Sequence, residues 1–205
     1  MVRRIPYIVL CVLVCLALSS CIGTDKSGIG TAPKPPSELS LRALPAGIEL
    51  VWERVPDAHT YTVFWGTERG EYRGTVNSDA CSILLQGMEK EKIYYFAVTA
   101  WNQAGESMFS NEQVLVYDNN AQNSEKHVAK GNELMQRGYL RDAHAYFSAA
   151  ILCDPENATA YRHRAMLYES ISRSDLAKQD YATAESLQKK KIALTPVKGA
   201  SLNKD

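Results

Sequence analysis

The sequence predicts a multidomain chain of two modules of different class, an all-β sandwich over residues 35–117 and an all-α pair of helical hairpins over 124–191. Three observations carry this. Between Leu39 and Tyr117 the apolar residues alternate in short runs broken by Gly, Pro and Asp, the period-two pattern of half-buried strands. Past Ser124 the apolar period lengthens to that of a helix, about 3.6. The helical stretch then matches itself at an offset of 34 residues. A chain of 205 residues has room for two small domains, and 45% hydrophobic with 22% charged residues is an ordinary globular composition.

In the β module, Ile48-Glu49-Leu50-Val51-Trp52 alternates and Pro56-Asp57 ends it. Tyr61, Val63 and Trp65 share one face of the next strand, and Gly66, Gly70 and Gly74 mark a hairpin region. Cys81, Ile83 and Leu85 alternate again before Gly87, and Tyr94, Phe96, Val98 and Ala100 form the clearest alternating strand. Strands recurring about every ten residues predict two packed sheets.

These residues resemble a fibronectin type III domain over the whole module. Pro36 with Leu39 and Leu41 matches the family's first strand, and Leu50-Val51-Trp52 with Pro56 matches the second and its core tryptophan. Met88 stands where the family usually has Leu. The resemblance makes Tyr94 the tyrosine corner, whose hydroxyl ties back to an upstream backbone group. Asn102-Gln103-Ala104-Gly105-Glu106-Ser107 with Ser110 matches the N-x-x-G-x-S-x-x-S ending, and the sequence holds no Arg-Gly-Asp. Such domains serve as spacers or binding modules, so the fold alone fixes no activity. With Tyr94 and its alternates inward, Phe64, Tyr95 and Trp101 are expected on the opposite side of the sheet. That is a candidate aromatic face, either open to a partner or packed against the next domain.

Asp118 to Asn123 is polar and turn-prone, so a linker or hinge is expected at 118–123. Beyond it the offset aligns Gly131 with Ala165, Leu134 with Tyr168, Ala143 with Ala177, Phe147 with Tyr181 and Ala150 with Ala184. Small residues meet small ones and large meet large, as stacked helix–turn–helix units require. Gly138-Tyr139 and Ser172-Arg173-Ser174 mark the turns within each copy.

The resemblance is to tetratricopeptide repeats. Gly131, Leu134, Ala143, Phe147, Ala150 and Pro155 fall on the family's small, large, small, aromatic, small and proline positions. His127 replaces the usual Trp, and Lys189 stands where the second proline would be, which lets the last helix run on. The resemblance implies a concave peptide groove at Val128, Asn132, Met135 and Gln136, then Arg162, His163, Met166 and Glu169. Val128 and His163 replace residues of the clamp some members use on chaperone tails, so that ligand is not expected. Two repeats are fewer than the three that usually close a core, so open apolar surface is expected on the last helix. Residues 192–205 are expected to form a disordered tail.

The first residues carry a different signal. Arg3 and Arg4 precede an apolar run from Ile5 to Leu18, and Ser19-Ser20-Cys21 follows. About fourteen apolar residues are too few for a membrane-spanning helix, which needs roughly twenty, and the whole pattern predicts a signal peptide over 1–20. Leu18-Ser19-Ser20-Cys21 resembles the lipobox of bacterial lipoproteins. It implies cleavage before Cys21 and lipid attachment, palmitate among the acyl chains, at its sulfur. Ile22 in place of Asp favours the outer membrane over the inner. Residues 21–34, rich in Gly, Ser, Thr and Pro, read as a tether that would extend by about 3 Å per residue.

Lys plus Arg and Asp plus Glu both total 23, so no basic excess points to nucleic acid. Cys81 and Cys153 match no metal spacing and are expected to be small buried apolar residues. His59, His127, His144 and His163 fall singly, and no phosphate loop, G-x-S-x-G or dinucleotide fingerprint occurs. No catalytic residue, cofactor or metal is expected. The expected role is a non-enzymatic, membrane-anchored envelope protein that binds other envelope proteins through its repeats. The alternatives are a surface adhesin for host matrix or glycan and an accessory subunit of an envelope hydrolase.

Overall fold

The computed structural model describes residues 30–194. The expected signal peptide, Cys21 and most of the expected tether lie outside them, as do residues 195–205.

Eight strands come first: β1 (Ser40–Leu44), β2 (Gly47–Val51), β3 (Thr60–Gly66), β4 (Gly74–Ser78), β5 (Ser82–Leu85), β6 (Lys92–Asn102), β7 (Gly105–Glu106) and β8 (Gln113–Tyr117). They form two antiparallel sheets, one ordered β1-β2-β5 and one ordered β4-β3-β6, with β7 and β8 both pairing with β6. This is a fibronectin type III-like sandwich. The sheets close on Ile48, Leu50, Val63, Phe96 and Val98, which are fully buried. Trp52 meets Tyr61 edge-on at 5.4 Å. Gly74 is required because a side chain there would enter the Trp65 ring, 2.1 Å away. Tyr94 forms the corner: its hydroxyl accepts from the Glu89 N–H at 3.0 Å and reaches the Glu89 carbonyl at 3.3 Å. The last part of the expected tether touches the sandwich, since the Thr31 carbonyl accepts from the Asn102 amide at 2.9 Å.

Four helices follow, α1 (Ser124–Gln136), α2 (Leu140–Cys153), α3 (Ala158–Ser170) and α4 (Ser174–Leu194). Gly131 of α1 packs flat on Phe147 of α2; an added Cβ would sit 2.5 Å from that ring. Asn157 caps α3 through its side-chain oxygen, and its amide donates to the hydroxyl of Ser124 at 2.8 Å, binding the second hairpin to the first.

The expected hinge is instead a fastened joint. Asp118 directly follows β8 and is 1% exposed. Its Oδ1 accepts from the Asn120 N–H at 2.9 Å, and its Oδ2 from the Asn123 amide at 2.9 Å and the His127 Nε2 at 2.7 Å. Burial alone would raise this carboxyl's pKa, but the three hydrogen bonds outweigh it and hold the pKa below the usual value. Asp118 is therefore ionised at neutral pH and can only accept, which puts the shared proton on Nε2. The polar run expected as a linker or hinge is a local hydrogen-bonded turn whose side chains satisfy its own backbone.

Beside the joint, Val114 and Val116 of β8 turn away from the sandwich core. With Ile93 they pack on Ala145, Ala149 and Tyr146 of α2. Arg69 reaches Asp142 at 2.9 Å, and Lys126 reaches Glu91 at 2.6 Å. The two modules therefore share a packed, ion-paired interface.

The far end of the helical half also departs from expectation. At the same offset, Val128, Met135 and Ile151 of the first copy are replaced by Arg162, Glu169 and Glu185 in the second. Val128 and Ile151 pack beneath α3 with Ala150 and Ala160, whereas Arg162, Glu169 and Glu185 are exposed. The closing surface is therefore polar, as in the terminal units of stacked repeats. Ile192 is 68% exposed; the other exposed side chains described in α4 are polar or alanine. Among the described residues, Ile192 is the one large apolar side chain classed as exposed on α4, less than the open surface expected there. Ile192 to Leu194 also continue α4, so the helix enters the segment expected to be a disordered tail.

Candidate functional site

The candidate groove lies on α1 and α3, and its eight residues divide. Val128 is buried in the hairpin core, and Met135 packs against the cluster of Phe147, Ala143 and Leu167. Arg162 is exposed but donates to Gln188 at 2.8 Å, and Glu169 accepts from the Tyr181 hydroxyl at 2.9 Å. His163 lies nearly parallel to the Phe147 ring, with centroids 5.8 Å apart. Burial, with the Arg162 charge adding to it, lowers the His163 pKa, so the ring is neutral at pH 7. Asn132 and Gln136, with the exposed Met166, remain to meet a ligand. Two amides and a thioether offer hydrogen bonds to a peptide backbone and soft apolar contact without a fixed charge.

Behind the groove lies an ion pair that sequence reasoning missed. Arg164 of α3 binds Asp180 of α4 through two parallel contacts, Nε to Oδ2 at 2.8 Å and Nη2 to Oδ1 at 2.9 Å. It also reaches the Ser148 hydroxyl at 3.3 Å and lies 5.8 Å from the ring centroids of both Tyr161 and Tyr168. Burial works against the guanidinium charge, and Asp180 more than restores it. Tyr168 is hydrogen-bonded to His144 at 2.9 Å, and burial lowers the His144 pKa. This network joins α2, α3 and α4.

Phe64, Tyr95 and Trp101 do not form one open face. Tyr95 is buried under Arg69, whose guanidinium carbon is 5.9 Å from the ring centroid. Burial and the neighbouring Asp142 push the Tyr95 hydroxyl up to about 12. Trp101 lies apart, its Nε1 donating to Thr62 at 3.0 Å. Phe64 packs instead with Phe109, at 5.0 Å, and Tyr72, at 6.0 Å. The serine ending explains Phe109. Ser107 and Ser110 turn inward and accept from the Ala100 and Val98 N–H groups at 2.9 and 3.0 Å, which leaves Met108 and Phe109 outside. Two apolar residues between paired serines were the available signal.

Among the described residues, Asp118, His127 and Cys153 form one set of metal-ligand types whose donor atoms lie within 4.8 Å of one another. Their chemistry is structural. Both Asp118 oxygens are already hydrogen-bonded, and burial, with the Asp118 charge, pushes the Cys153 thiol up to about 11, so it stays protonated. Cys81 is half-buried against the sandwich core.

No family model matches the chain, and no curated protein matches it. Solved structures do. FN3tt matches at 21% identity and a TM-score of 0.40 over 43% of this chain and 98% of that one. A Fn3-like protein from Clostridium thermocellum matches at 28% identity and a TM-score of 0.38 over 42% of this chain and 95% of that one. The fn3 domain of human contactin 1 matches at 19% identity and a TM-score of 0.40 over 50% and 92%. No helix among the described residues is long and apolar enough to cross a membrane.

Proposed function

We propose that this chain is a lipid-anchored, non-catalytic adaptor of the bacterial cell envelope that holds a partner protein on a tetratricopeptide-repeat groove. Cys21 is the anchor and the segment after it the tether. The fibronectin type III-like sandwich is a stator, fixed to the repeats by the Asp118 joint and the α2 contact. The repeat assignment draws support from the Gly131–Phe147 contact and from the alignment of Ala165, Ala177 and Ala184, all buried, with the first copy. The observation that carries the function is the set of uncommitted polar and thioether side chains on α1 and α3, Asn132, Gln136 and Met166. Neighbouring charges on the same surface are already bonded within the fold.

Affinity capture from solubilised envelopes tests this. Asn132→Ala, Gln136→Ala and Met166→Glu together change the exposed groove without touching the buried core. Recovery of a partner is expected to fall at least about tenfold, the loss of a few interface contacts worth about 1.4 kcal/mol or more. Equal recovery with a folded triple variant removes the groove from the account.

A further inference from the structure

A second groove, of about 750 Å³, opens where the edge of the sandwich meets the helices. Its sandwich wall is made of consecutive residues, Leu41, Arg42 and Ala43 of β1 and then 112–116 on and just before β8. Successive side chains of a strand point to opposite faces, so a groove lying on a sheet face would meet alternate residues. Consecutive residues mean that it meets the strand edges. Both strands have such an edge, since β1 pairs with β2 and β8 with β6, each on one side. Unpaired N–H and C=O groups along an edge are a template for another strand.

The opposite, helical wall mixes apolar side chains with basic ones. Leu140 and Leu152 of α2 and Ile171 from the turn before α4 line it, and Leu152 and Ile171 are among the exposed large apolar residues of the chain. The charge is one-sided. Arg42, Arg141 and Arg173 line the groove against one carboxylate, Glu112. Glu112 faces the sandwich, accepting from the Gly70 N–H at 2.8 Å and the Tyr72 hydroxyl at 3.0 Å. Arg42 is paired with Glu49 at 2.6 Å, and Arg173 is 3.9 Å from Asp175. Arg141 makes no ion pair with a described residue.

We propose that this groove binds an extended acidic segment of another protein by strand addition to β8. The backbone of that segment pairs with the β8 edge. Its apolar side chains lie on Leu140, Leu152 and Ile171, and its carboxylates meet Arg141 and Arg173. Strand addition draws affinity from backbone hydrogen bonds and specificity from alternate side chains, the two things this groove offers. The site is distinct from the α1–α3 groove and does not depend on it.

The probe is a short fluorescein-labelled peptide alternating valine and glutamate, titrated against the full chain in detergent and followed by polarisation. Saturable binding is expected. Lysine in place of glutamate, or N-methylation of alternate backbone nitrogens, is expected to abolish it. Arg141→Glu with Arg173→Glu, both on the surface, is expected to weaken it at least about tenfold while leaving the thermal melt unchanged. Absence of saturable binding overturns the proposal, as does equal binding by the N-methylated or lysine peptide or by the double variant.

Discussion

Arg164→Ala is expected to destabilise the helical half by about 3 kcal/mol or more, because it strands the Asp180 carboxylate. The side chains of the pair are 19% and 9% exposed, so little water is on hand to replace the lost partner. The two parallel contacts to Asp180 and the bond to Ser148 disappear together. The double change Arg164→Met with Asp180→Leu separates stranding from simple loss of contacts. Replacing a whole buried pair by apolar residues is often near neutral, so the double variant is expected to be more stable than the single one. Urea unfolding of the full chain measures both. A single variant within about 0.5 kcal/mol of the parent, the usual range for plain surface changes, would mean that solvent screens the pair.

Phe147→Ala is expected to cost about 3–5 kcal/mol, the range for removing a fully buried aromatic ring. Phe147 is 0% exposed, clustered with Ala143 and Leu167 and packed by Leu134, Met135 and Tyr168. Gly131 leaves the ring its place on α1, and His163 stacks on its other neighbour helix, so a cavity here loosens both copies of the repeat. The same unfolding measurement reads it. Because His163 belongs to the candidate groove, the variant is also expected to bind partner less well. That loss should follow the fraction unfolded, unlike the loss in the surface triple variant, which leaves the core intact.

The strands and helices were legible because each has one face that must be buried. Ile48 and Leu50, Tyr61 and Val63, and Tyr94 to Ala100 in alternation all lie in the sandwich core. The outer face of β6 was harder. Residues 94–100 are buried on both sides, whereas Tyr95 is expected from the alternation on a face either open to a partner or packed against the next domain. The continuous apolar run was the hint, since a strand covered on both faces loses its alternation. The joint was misread for a related reason. Asp118, Asn120 and Asn123 are polar, and polar residues satisfied by one another look in a sequence like residues satisfied by water. His127 in a position usually held by Trp was the clue that a buried polar partner was needed. The polar closing surface was visible too, but in the mismatches of the self-alignment, Val128 against Arg162 and Ile151 against Glu185, rather than in the matches. Nothing in spacing or composition marked Arg164 and Asp180 as partners, since their meeting depends on how α3 and α4 pack.

The proposed adaptor role at a membrane surface depends first on the proposed anchor at Cys21. Labelling cells with radioactive palmitate and recovering the protein measures this directly. The account predicts label on the parent chain, none on Cys21→Ser, and a shift of that variant from the detergent phase to the aqueous phase. Label and partitioning that survive Cys21→Ser unchanged would contradict it.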